Sequence, residues 1–189
     1  MNIVQIGCNN CEDEVFKFVS DNKDSVSKFL VIDALPKCIE IAKAKYAFLE
    51  DRLISANCAI YNDNTIVKLV YPESGETSAH ASVFENHVKM HGHSKCNFLF
   101  VPSLTLNNIF EFMQGQVDRL YIDIEGYDVE ALLKLNYEKY KPKYIEYEWV
   151  HSDGVHTSNF NHNKLVDLLK KNNYKVEKYN GYNSIAQLQ

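Results

Sequence analysis

The chain has 189 residues, 46% hydrophobic and 24% charged, enough for one well-filled core and too few for two full catalytic domains. Twenty basic against 25 acidic side chains give a formal charge of -5, which excludes a global positive field for nucleic acid. No apolar run reaches the roughly 20 residues of a membrane helix, and five scattered cysteines exclude a disulfide scaffold, so the reading is a soluble, cytoplasmic protein with reduced thiols.

In chain order, IVQI predicts a short strand ended by Gly7, and residues 12–20 place Val15, Phe18 and Val19 on one helical face. KFLVID predicts a second strand. Pro36 then suits the first turn of a helix carrying Ile39, Ala42, Tyr46 and Leu49. LISANCAIY reads as a third strand and TIVKLVY as another after the turn-forming NDN. Over 72–95 regularity fades, which predicts a loop insertion able to act as a lid.

Beyond it, NFLFVP predicts a strand, TLNNIFEFM a helix, DRLYIDIEG a strand ending in acids, DVEALLKL a helix and YIEYEWV a strand. The helix NKLVDLLKK and the strands YKVEKY and SIAQLQ follow, the last two able to pair antiparallel through NGYN. The alternation predicts one α/β domain over residues 1–189, with a mostly parallel sheet covered by helices on both faces. Ligands gather at the carboxyl ends of such strands.

Several residues stand at those ends. Gly7 permits a tight turn, with Asn9 and Asn10 as local hydrogen-bonding partners. Asp33 can receive ribose hydroxyls or cap the next helix, and Asn57 and Cys58 can line an adenine pocket or make turns. In YIDIEGYD, alternation sends Asp123 and Glu125 to one side, where they can orient a hydroxyl, accept its proton or bind a cation, while Asp128 can cap the following helix. Glu146 and Glu148 share a strand face, one of them expected near that pair. His151 and His156 follow as acid/base candidates.

Other features point elsewhere. Cys8 and Cys11 form a CxxC at a strand-to-helix junction, the place for a thiol–disulfide oxidoreductase, although Glu12, Asp13 and Glu14 disfavour a thiolate there. His80, His87, His91, His93 and Cys96 carry ligand atoms, but their spacing closes into no recognised zinc pattern, and no metal is assigned. The basic segment 134–144, with Lys170, Lys171, Lys175 and Lys178, interleaves tyrosines in a way that suits RNA or solvated helix ends.

Taken together, IGCNNCED, VIDALP, NCAIY, VPSLTLNNI, YIDIEGYDVEALL and PKYIEYEW resemble the FkbM-like family of class I S-adenosylmethionine-dependent methyltransferases over roughly residues 3–178. The resemblance implies a Rossmann-like, class I methyltransferase-like sheet of seven strands with a reversed final strand, S-adenosylmethionine as cofactor, and methyl transfer mainly to oxygen. It places Gly7, Cys8, Asn9 and Asn10 on the cofactor turn, Asp33 with Ala34 at the ribose, and Asn57, Cys58 and Ala59 at the adenine. Asp123 and Glu125 match its acidic strand exit, beside which Glu148 and His151 complete the expected catalytic set. The acceptor is expected to be a hydroxylated small molecule or a glycan. The sequence departs from the family at Gln5, Cys11 and Tyr121, and Cys11 could narrow the cofactor turn, so a noncatalytic ligand-binding protein of the same fold is a second reading.

Overall fold

The computed structural model describes residues 1–73, 75, 77, 79–152 and 160–189. His156 lies outside them, as do Ser74, Glu76 and Ser78 of the expected loop insertion.

Seven strands form the main sheet: β1 (Asn2–Ile6), β2 (Lys28–Asp33), β3 (Leu53–Asn57), β7 (Arg119–Ile122), β8 (Tyr144–Glu148), β9 (Tyr174–Lys178) and β10 (Asn183–Leu188). Their order is β3-β2-β1-β7-β8-β10-β9. Neighbours from β3 to β8 run parallel, and β10 lies antiparallel to both β8 and β9. The expected antiparallel pairing through NGYN is therefore present, with β10 slotted between two other strands.

Alternation decides what each face buries. Val4, Ile6, Leu30 and Ile32 join one core with Ile109 and Phe110 of α4 (Leu106–Phe112), Val129 and Leu132 of α5 (Asp128–Leu133), and Leu165 and Leu169 of α6 (Phe160–Lys171). Ile3, Phe29 and Val31 point the other way, onto Val15 and Val19 of α1 (Glu14–Asp21) and Cys38 and Ala42 of α2 (Pro36–Lys45). Both faces are thus dry, and a one-residue slip of β1 would exchange its apolar set between them. Helix starts follow local chemistry: the Asp13 carboxylate accepts from Phe16 N–H, Pro36 opens α2, and Thr105 with Asn108 forms a reciprocal cap on α4.

Gln5, on the α1–α2 side of β1, is buried but fully used. Its Nε2 donates to Asp13 Oδ2 at 2.7 Å, and its Oε1 accepts from Tyr46 Oη at 3.0 Å, so it ties the strand to the start of α1 without leaving an orphan.

One expected strand and one expected loop need correction. LISANCAIY is not one strand: β3 stops at Asn57, and Ala59–Ile60 forms β4 of a separate sheet. That sheet, ordered β4-β6-β5, holds β5 (Ile66–Pro72) and β6 (Cys96–Leu104) as an antiparallel pair. Period-two sequence predicts a strand without saying which sheet receives it. The expected loop between β5 and β6 is also partly helical, since residues Glu85–Met90 form α3.

Candidate functional site

The site begins at the end of β1. Gly7 has φ of 78° and donates its N–H to the Ile32 carbonyl at 2.9 Å. A Cβ built there would lie 1.7 Å from the carbonyl oxygen of Asp123, so only glycine lets the exits of β1 and β7 approach this closely. Next, Cys8 and Asn9 N–H groups donate to Asp33 Oδ2 at 2.9 and 3.1 Å, while Leu35 N–H donates to Oδ1 at 2.8 Å. One carboxylate therefore gathers three backbone donors and fixes the turn against the end of β2, keeping spare accepting capacity on Oδ1.

The turn walls a cavity of about 230 Å³. Gly7, Cys8, Asn9, Asn10, Asp33, Ala34, Cys58 and Ala59 line it, joined by Asp123, Glu125 and two acids the sequence reading did not assign, Glu12 and Asp13. Leu69, Ala81, Val83 and Tyr127 supply an apolar side. Asn9 Oδ1 is buried in this wall with no hydrogen-bond partner among the described residues. Asn57 is not part of the lining: its Nδ2 donates to the carbonyls of Asp33 and Ala34 at 2.9 and 3.0 Å, clamping the chain behind the pocket. Gln5 and Cys11 are absent from the lining too.

The acidic exit is built differently from the expected strand continuation. β7 ends at Ile122, and Asp123 and Glu125 lie in a loop in which Glu125 has φ of 56° and Gly126 of 101°. Asp128, the first residue of α5, does not cap that helix. Its carboxylate reaches back to accept from Ile124 N–H at 3.0 Å and Gly126 N–H at 3.2 Å. The loop is closed over by the insertion, where Ser82 Oγ donates to the Glu125 carbonyl at 2.8 Å and His87 Nε2 stands 2.6 Å from Glu125 Oε2.

Glu148 and His151 lie behind the cavity rather than in its wall, with His151 Nδ1 2.9 Å from Glu148 Oε1. Burial, then the Glu148 charge, pushes the Asp123 carboxyl up to about 7 even though it opens onto the cavity. Burial followed by Asp123 and Glu148 pushes Glu125 up to about 10. Glu146 is remote from this group in function, its Oε2 accepting from Tyr144 Oη at 2.7 Å.

The family model described as the methyltransferase FkbM domain matches residues 2–176. The chain belongs to that family. Among solved structures, it is similar to the methyltransferase FkbM of Methylobacillus flagellatus KT, at 11% identity and a TM-score of 0.59, covering 98% of this chain and 43% of that one. It is also similar to the fibrillarin pre-rRNA processing protein of Methanococcus jannaschii, at 13% identity and a TM-score of 0.52, covering 99% of this chain and 66% of that one. At such identities the likeness speaks for the fold, and this chain spans less than two thirds of either relative. No curated protein matches it.

Within this FkbM domain the CxxC pair is placed for packing. Cys8 and Cys11 are 2% and 0% exposed. A hydrogen bond with Cys11, then burial and the Asp33 charge, raise the Cys8 thiol far above its ordinary value, the reverse of what a nucleophilic thiol needs. All five cysteines are free. Cys11 adopts φ of 53°, the left-handed region where glycine would be unstrained.

The FkbM domain also gathers His87, His91 and His151 with Glu125, one ligand atom from each lying within 4.8 Å of the others. Sequence reading kept His151 apart from the insertion because nothing local joins them. The usable signal was the i, i+4 spacing of His87 and His91, which puts both on one face once a helix is recognised there. No helix among the described residues is long and apolar enough to cross a membrane.

Proposed function

We propose that the chain is an S-adenosylmethionine-dependent methyltransferase acting on a hydroxyl oxygen of a small molecule or glycan. The observation that carries this reading is the cavity at the ends of β1, β2 and β7: a glycine turn on one side, Glu12, Asp13, Asp33, Asp123 and Glu125 around it, and no lysine or arginine among its lining residues. Such a lining favours a ligand with a positive centre and disfavours a nucleotide phosphate.

The residues present suit that cofactor. Asn9 Oδ1, buried and otherwise without a donor, offers an acceptor to an ammonium or hydroxyl group. Gly7 to Asn10 would hold the amino-acid end, the spare capacity of Asp33 Oδ1 the ribose, and Ala34, Cys58 and Ala59 the adenine. S-adenosylmethionine, when bound, supplies a methyl carbon already activated by its sulfonium. Asp123 would orient the acceptor hydroxyl at the cavity rim and take its proton. Glu125, whose carboxylate is engaged by His87, is left to position the loop. Leu69, Ala81 and Val83 would keep water from the reacting atoms.

A small acceptor is favoured over RNA because several lysines of the basic segments are already partnered. Lys134 pairs with Glu130, Lys139 with Glu111 and Lys143 with Asp118, and Lys178 sits 3.7 Å over the Trp149 ring. Phosphate contacts would have to displace these partners.

Isothermal titration with S-adenosylmethionine and its demethylated product tests the reading. One-to-one saturable binding is expected, weakened at least about tenfold by Asp33→Ala, which removes both the turn's anchor and the ribose acceptor. Failure of both ligands to bind the native protein would overturn it. A screen of hydroxylated acceptors, read by the mass of one added methyl group, then separates an enzyme from a domain that only binds.

A further inference from the structure

The insertion between β5 and β6 carries a short helix that its own packing explains poorly. α3 has six residues and buries only His87 and Val88, and a helix of that length has little stability of its own. Yet its histidine is 0% exposed at the side chain and directed at Glu125. His91, one turn on, stacks on His80 with ring centroids 4.0 Å apart and meets the rings of His87 and His151 at an angle, with centroids 4.7 and 5.2 Å away.

We propose that His87, His91, His151 and Glu125 together bind one divalent first-row transition-metal ion of the zinc class, and that this ion fastens α3 to the exits of β7 and β8. The four ligand atoms already lie within 4.8 Å of one another. A tetrahedral zinc ion with nitrogen and oxygen ligands needs separations of about 3.4 Å, which modest side-chain rotations supply. Three imidazoles and one carboxylate select zinc, cobalt, nickel or copper over the oxygen-seeking magnesium and calcium.

Burying several imidazoles at one point costs solvation that a shared cation returns. Outside the four, Glu148 Oε1 lies 2.9 Å from His151 Nδ1, close enough for a small ring rotation to give the carboxylate–imidazole arrangement that fixes a ligand's ring. Glu148 is therefore a positioning residue. Four protein ligands close the coordination sphere, so the site is structural and stands whether or not methyl transfer is found.

The test uses tag-free full chain, stripped by chelator and titrated with Zn2+ by calorimetry and with Co2+ by visible absorption. One ion per chain is expected, with the intense cobalt spectrum of a tetrahedral site, a higher thermal midpoint with Zn2+, and slower amide exchange over 85–91. His91→Gln, at the histidine of the set that is not buried, should weaken Zn2+ binding about 100-fold, whereas His162→Gln, which changes a histidine outside the cluster, should leave it unchanged. An octahedral cobalt spectrum, no saturable binding, or native affinity in a folded His91→Gln protein would each overturn the proposal. Should His91→Gln misfold, the native protein's cobalt spectrum decides alone.

Discussion

The two sides of the cavity share one device, a carboxylate that collects backbone N–H groups, and differ in what they add to it. The turn after β1 is a backbone device, in which one carboxylate, Asp33, collects the N–H groups of Cys8, Asn9 and Leu35. The far side depends on side chains gathered from afar: Asp123 and Glu125 of a loop, backed outside the wall by Glu148 at a strand end and by histidines that include one from an inserted helix. The contrast teaches that the first rests on backbone geometry and tolerates a side chain such as Cys11 in a left-handed position, whereas the second changes chemistry with each substitution.

The sides press together where Gly7 meets the Asp123 carbonyl, so the strongest way to break the comparison is Gly7→Ala. The new Cβ would sit 1.7 Å from the Asp123 carbonyl oxygen, and a loss of about 4 kcal/mol or more is expected, enough to remove soluble folded protein in a thermal-melt assay. If the melting midpoint barely moves, the turn and the acidic loop are not in the contact described.

Asp128→Ala sharpens the contrast by loosening only the acidic side. Two backbone donors, of Ile124 and Gly126, lose their acceptor, an expected cost of about 3 kcal/mol by urea denaturation. The affinity for S-adenosylmethionine should fall far less than in Asp33→Ala. Equal losses in the two variants would show that the sides are not separately held.

His162 provides a control away from both. Buried at 3% exposure, its pKa is pushed down to about 4 by burial and then by Lys178. The unfolded chain takes up this proton near pH 6.5, so the stabilisation from a neutral His162 is complete above that pH and is lost as pH falls toward 4. Allowing for partial solvation, about 2 kcal/mol should disappear over that window, and His162→Gln should flatten the slope in a pH series of urea midpoints.

The smallest effect is expected for Cys11→Gly. Relief at φ of 53° and loss of a fully buried thiol oppose each other at about 1 kcal/mol apiece. The net change in melting should be slight and cofactor affinity unaltered, because Cys11 does not line the cavity; a large gain in affinity would contradict that placement.

Much of the fold was legible because it is written in local periodicity. The strand and helix order, the antiparallel end and the turn at Gly7 all follow from spacing within a dozen residues. What local pattern could not carry was the destination of a strand. β5 and β6 read as ordinary strands, yet they leave the main sheet for a second one. α3 escaped because six residues with a single buried aliphatic side chain hold no usable repeat. At the site, Gly7, Asp33 and Asp123 were legible as types, but that Asp33 would spend its oxygens on backbone donors, and that Asn57 would turn away to clamp carbonyls, depended on contacts 23 to 25 residues apart. The meeting of His87 with Glu125, separated by 38 residues, was beyond any window.

The position of β10 has a consequence for synthesis. Because Asn183–Leu188 enters between β8 and β9 rather than at a margin, a nascent chain paused after β9 presents β8 with a bare, unpaired flank. Until that late insertion, the half-made sheet is open to pairing with other chains and is a natural client for chaperones.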